Sequence, residues 1–164
     1  MGSKKGVGIT IAILVGVVAA SFLVYLIPED TGMKLVVSDF EKNLDDVDER
    51  TSMLSSAIEE SFGDLINHEL PSEEYFVIAG VTQSQVNSLI IELTLSSAPQ
   101  EWAMSYKTYV DALKKLNEQI TETVVVANLI KDDNSVSVDE LVSKIYELRT
   151  ESLNLIEKSN NSRP

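Results

Sequence analysis

Cysteine is absent from the 164 residues, and histidine occurs once. The first absence excludes disulfides, thiolate metal sites and cysteine nucleophiles. The second leaves any serine–histidine nucleophile with one available base, His68. A di-iron site of the helical-bundle type needs Glu-x-x-His on two helices. Here Leu65 stands three positions before His68, and no second histidine exists. His68 is therefore read as a solvated residue at a helix end. Proline is limited to positions 28, 71, 99 and 164. No period-two alternation of strand length occurs; Val124-Val125-Val126 is short and sits inside a helical pattern. Basic charge is scarce too, with 13 lysines and arginines against 26 acidic residues. Beyond Pro28 the balance is 11 against 26, a formal −15, whereas the first 28 residues hold only Lys4 and Lys5. Such a remainder repels phosphate, which argues against a nucleic-acid partner.

Charge is missing altogether from residues 6–27, GVGITIAILVGVVAASFLVYLI. As a helix this segment is about 33 Å long, enough for a hydrocarbon core of about 30 Å. Tyr25 falls near its outer end, where interfacial aromatics gather. Lys4 and Lys5 precede it, and Glu29 and Asp30 follow. The positive-inside bias thus predicts a cytoplasmic N-terminus (residues 1–5), a transmembrane helix (6–27) and everything later outside the cytoplasm. Val18-Ala19-Ala20 offers a small-residue cleavage site, but the apolar run continues past it and favours a retained anchor in the cell membrane. Within the anchor Gly8, Ala12, Gly16 and Ala20 recur every four residues. That spacing draws a small-residue stripe on which another membrane helix, of a second copy or a different protein, can approach closely. The lipid bilayer and such a helix are the expected partners.

A linker (28–36) precedes four stretches with the 3–4 apolar spacing of packed helices. The first, 37–69, aligns Val37, Phe40, Leu44, Val47, Thr51, Leu54, Ile58 and Leu65. The second, 72–96, aligns Tyr75, Ala79, Thr82, Val86, Leu89 and Leu93. In the third, 98–131, the stripe is Trp102, Tyr106, Tyr109, Leu113, Leu116, Ile120, Ala127 and Ile130. The fourth, 138–158, uses Val138, Leu141, Ile145, Leu148 and Leu155. Ser38 with Glu41, Ser97 with Gln100 and Ser137 with Glu140 fit capping boxes, and Pro71 and Pro99 suit helix starts. Gly80 permits a break in the second helix. Short connections make neighbouring helices antiparallel. The predicted fold is all-α: an N-terminal transmembrane helix followed by an up-down-up-down four-helix bundle over 37–158, with a disordered tail at 159–164.

Residues that could carry chemistry are few. Asp45, Asp46, Asp48 and Glu49 form the densest acidic cluster but fall outside the apolar stripe, as a solvated face does. Asp132-Asp133-Asn134 opens like a calcium loop, then departs from that pattern at Val136 and Ser137. Trp102, Tyr106 and Tyr109 continue the buried stripe and are placed in the core, with a ligand or partner pocket between helices as the alternative. Asn160-Asn161-Ser162 is a glycosylation sequon, making Asn160 the acceptor. No catalytic, metal or cofactor constellation emerges, so the chain is expected to be non-catalytic.

The layout KKGVGITIAILVGVVAA followed by an acidic, cysteine-free helical domain resembles small single-pass membrane proteins of archaea, of the ammonia-oxidising lineages in particular. That resemblance lies in overall layout and carries no functional residue. The bundle is also similar in outline to extracytoplasmic sensor domains of chemoreceptors, which continue into a second membrane helix and an output region that this sequence does not show. Two roles are therefore expected: a membrane-anchored accessory, assembly or interaction subunit, or an extracytoplasmic ligand-binding domain that signals through a partner.

Overall fold

The computed structural model describes residues 37–132 and 138–164. Residues 1–5, the 6–27 segment with its Gly8, Ala12, Gly16 and Ala20 stripe, the linker 28–36 and the loop 133–137 lie outside the described residues. Those described form four helices and no strand: α1 (Phe40–Ile66), α2 (Ser72–Leu95), α3 (Ala103–Lys131) and α4 (Asp139–Asn160). All four belong to one compact unit, Lys34–Pro164.

Cross-helix bonds establish the order up-down-up-down. Arg50 near the start of α1 meets Glu92 near the end of α2. Tyr75 early in α2 donates to Thr123 late in α3, while Ser105 early in α3 accepts at its carbonyl from Ser159 late in α4. The predicted α2 stripe is buried throughout. In α1 the buried set is Leu44, Val47, Thr51, Ile58, Phe62 and Leu65; Phe62 was not in the predicted stripe although it keeps the 4–3 spacing between Ile58 and Leu65. Helix α2 runs unbroken through Gly80. Among the described residues it is the helix long and apolar enough to cross a membrane, yet its apolar stripe lies in the bundle core.

Helix ends depart from the predicted caps. At α1 the cap is Asp39, whose carboxylate accepts from the Lys42 N–H at 3.0 Å, in place of Ser38. At the other end α1 stops at Ile66, before the predicted residue 69. His68 takes a left-handed φ of 60°. Its N–H reaches Leu65 O (3.0 Å) and the Glu69 N–H reaches Asp64 O (2.8 Å). This paired closure is a Schellman motif with histidine where glycine is usual. Ser97, also left-handed at φ 51°, closes α2 and does not open α3. Pro99 explains the later start, because the residue before a proline is pushed out of the helical region. The chain instead makes one turn, closed by the Trp102 N–H on Pro99 O at 2.9 Å, before α3 begins at Ala103. Of the third capping box only Glu140 is described.

The most extensive helix contact joins α3 to α4. It rests on small side chains one heptad apart. Ser159 donates to Ser105 O (2.8 Å), and Ser152 donates to Ala112 O (2.9 Å). All four residues are buried. A hydroxyl bonded to a carbonyl of the facing helix requires that the two backbones lie close, which large residues would prevent. Lys115–Glu151 (3.1 Å) and Lys144–Glu122 (2.7 Å) flank this seam. Helix α4 runs to Asn160, into the span expected as a tail at 159–164, and contacts continue past its end. Ser159 is fully buried, and Arg163 sits 2.6 Å from Asp45 and donates to Asn160 at 2.8 Å.

Candidate functional site

The aromatic trio is brought together, as packing. Trp102 and Phe40 each meet the Tyr106 ring edge-on. Tyr106 and Tyr109 are buried, Trp102 half-buried. The Tyr106 hydroxyl has Phe40 O at 2.9 Å and Asn43 Oδ1 at 3.0 Å and donates to one at a time; Asn43 in turn donates to Glu92. Tyr109 donates to Asp48 at 2.7 Å. Burial pushes the Tyr75 and Tyr109 phenols well above their ordinary range. Burial, then the nearby Glu92 charge, raises Tyr106 to about 12. These phenols are structural donors, kept protonated by their surroundings.

The acidic cluster is spread over several tasks. Asp45 pairs with Arg163, Asp48 accepts from Tyr109, and the Asp46 carbonyl accepts from Arg50. Among the described residues no three acidic or histidine side chains converge on a metal-sized site. His68 is exposed. Asn160 is exposed at the last turn of α4, with its amide oxygen taken by Arg163.

Two recesses lie elsewhere, along the seam between α1 and α4. These two helices make no close backbone contact; α4 packs on α3, and α1 on α2 and α3. Arg149 and Glu59 bridge the seam at 2.6 Å. The Arg149 Nε–H is not aimed along that line, so the bridge is an ion contact without a well-directed hydrogen bond. On one side of it is a recess of about 300 Å³, rich in hydroxyls: Thr51, Ser52, Ser55, Ser56 and Ser152. On the other is a more apolar recess of about 340 Å³, walled by Ile58, Phe62, Ile66, Val142 and Ile145. Gln119 of α3 lines both, as do Glu59 and Arg149. Gln119 is 3% exposed, and its amide oxygen has no donor. Neither recess is lined by Trp102, Tyr106 or Tyr109. Sequence reasoning missed Gln119 because a glutamine following Asn117 and Glu118 reads as surface; its heptad relation to Ala112 and Val126 was the available signal.

A second surface feature is the outer face of α2. Val77, Ile91 and Leu95 are 66%, 57% and 54% exposed. Gly80, Ser84 and Ser88 lie exposed along the same stripe. Between Glu74 and Glu92 this helix holds no charged residue. No family model matches the chain, and no curated protein or solved structure matches it either.

Proposed function

We propose that the protein is a membrane-anchored, non-catalytic accessory or assembly subunit, held by residues 6–27 in the cell membrane with its N-terminus cytoplasmic and its acidic bundle outside. The observation that supports this reading is the outer face of α2, uncharged over five turns and partly apolar, on a domain of formal −15. Elsewhere like charge opposes close approach of an acidic partner, whereas this strip can be covered without burying an ion. The Gly8, Ala12, Gly16 and Ala20 stripe would supply a second contact within the bilayer. Extraction in mild detergent followed by native electrophoresis tests the idea. A species larger than the lone chain is expected, and Ile91→Arg should dissociate it. Migration of the wild type as a lone 18 kDa species would rule the reading out.

The α1–α4 seam favours a second reading, an extracytoplasmic ligand-binding domain that acts through a partner. Its recesses, and not the aromatic trio, are where a small molecule would sit.

A further inference from the structure

Helix α2 has two faces without charge. One lies in the core. The other is bare, and its residues keep a spacing of their own. Val77, Val81, Ser84, Ser88, Ile91 and Leu95 follow at steps of 4, 3, 4, 3 and 4, the repeat of a seam between paired helices. All are exposed except Val81, which is half-buried. A solvated helix face is ordinarily charged and needs no such repeat. Gly80, beside the seam, is an independent sign. Glycine weakens a helix interior relative to alanine. A Cβ at Gly80 would meet nothing within 4 Å among the described residues, so no internal contact calls for glycine there.

The seam reads alike in both directions. Turned end for end about Val86, it sets Val77 against Leu95, Val81 against Ile91 and Ser84 against Ser88. Apolar groups then meet apolar groups, and hydroxyls meet hydroxyls. Gly80 and Ile91 share the flank of Gln83 and Asn87, which bond to Thr121 and Asn117 of α3. Two-fold packing keeps like flanks together, so Ile91 of one copy falls beside Gly80 of the other, where the missing side chain leaves a hole. Self-matching of this kind is what an isologous contact requires, and a different protein would place no such demand on the order of residues. Charge selects the direction. Parallel copies would hold Glu73, Glu74 and Glu92 each level with its own counterpart. Antiparallel copies hold Glu92 level with Gly80 and Glu74 level with Ala98. The nearest acids along the axis, Glu74 and Glu92, are then separated by about 9 Å, which is about the screening length at physiological salt.

Building on the assembly reading, we propose that the partner on this face is a second copy of the chain, the two α2 helices packed antiparallel with Ile91 of each over Gly80 of the other. The absence of native cysteine makes the register directly readable. Val77→Cys, Leu95→Cys and the double variant are made in the full-length protein, oxidised with copper phenanthroline in isolated membranes and run on non-reducing denaturing gels. Within one chain the two positions lie about 27 Å apart along the helix, too far for a disulfide, whose Cα atoms come within about 7 Å. The double variant should therefore give a covalent dimer, and each single variant only monomer. Gly80→Leu added to the double variant should abolish the dimer without lowering the unfolding midpoint, since the chain itself has room for the side chain. Dimer from each single variant would mean parallel pairing and overturn the proposal, as would dimer that persists with Gly80→Leu. If the double variant stays monomeric while the wild type still migrates above the lone chain on native gels, something else covers the strip: the proposal fails and the assembly reading stands. If the wild type also migrates as a lone chain, both fall.

Discussion

Enlarging Ala112 tests whether α3 and α4 are held by close backbone approach. Its side chain is completely buried and its carbonyl accepts from Ser152 at 2.9 Å. Ala112→Leu inserts three carbons where the facing backbone already fills the space. Relief requires α4 to move away, which stretches the Ser152 bond and, one heptad on, the Ser159–Ser105 bond. Overpacking of this kind costs about 1–3 kcal/mol, and two lost hydrogen bonds add about 1 kcal/mol each, so a loss of roughly 3–5 kcal/mol is expected. Ser152→Ala keeps the small volume and removes one bond, for about 1 kcal/mol. Leu153→Ala, beside it but half-exposed, should stay within about 0.5 kcal/mol. Urea unfolding of full-length protein in mild detergent, read by far-ultraviolet circular dichroism, ranks the three. If Ala112→Leu costs no more than Ser152→Ala, the helices are not in close contact and the seam has been misread.

Replacing His68 by glycine should stabilise the bundle by about 1 kcal/mol, because glycine occupies the left-handed position without the Cβ penalty; His68→Ala should bring no such gain, and thermal melts distinguish them. Alkaline titration should unfold the protein cooperatively. Folded Tyr75, Tyr106 and Tyr109 hold their protons above the ordinary phenol value of about 10. Their contribution is thus complete below pH 10, and each then loses about 1.4 kcal/mol per pH unit as pH climbs toward about 12. Tyrosinate absorbance and helical dichroism should change together; ionisation of these phenols near pH 10 with the helices intact would contradict the burial argument.

Helix number, order and core stripes were legible because apolar side chains must share a face. All six stripe positions foreseen in α2 are buried, from Tyr75 to Leu93. Where the stabilising group is polar or small, the same rule fails. Ser105, Ser152 and Ser159 read as surface, yet their value lies in letting backbones approach, which periodicity of apolar residues does not register. Caps misled for a related reason. Ser38 and Asp39 are adjacent acceptors, and the carboxylate won. Ser97 fits a capping box by spacing, but Pro99 forbids helix at Ala98. The recess was invisible because it is defined by what is missing: a side chain at Gly63, a donor at Gln119 and a backbone contact between α1 and α4.

The two α4 interfaces have one common cause. Of the twenty buried hydrophobic residues, α4 supplies only Ile145 and Leu148, whereas α3 supplies eight. A helix with so little apolar surface to bury cannot wedge itself between two neighbours. It makes its one close contact, with α3, through its own Ser152 and Ser159, and on the α1 side it is held by Arg149–Glu59 and Arg163–Asp45, both partly exposed. Bridges of that kind contribute about 0–1 kcal/mol each. Local opening is easiest where buried apolar contact is sparsest, so α4 can part from α1 while staying on α3. That motion would widen the space above Gln119 and leave the α1–α2–α3 core undisturbed. The helix whose composition binds it least firmly to the rest is therefore the one expected to open first.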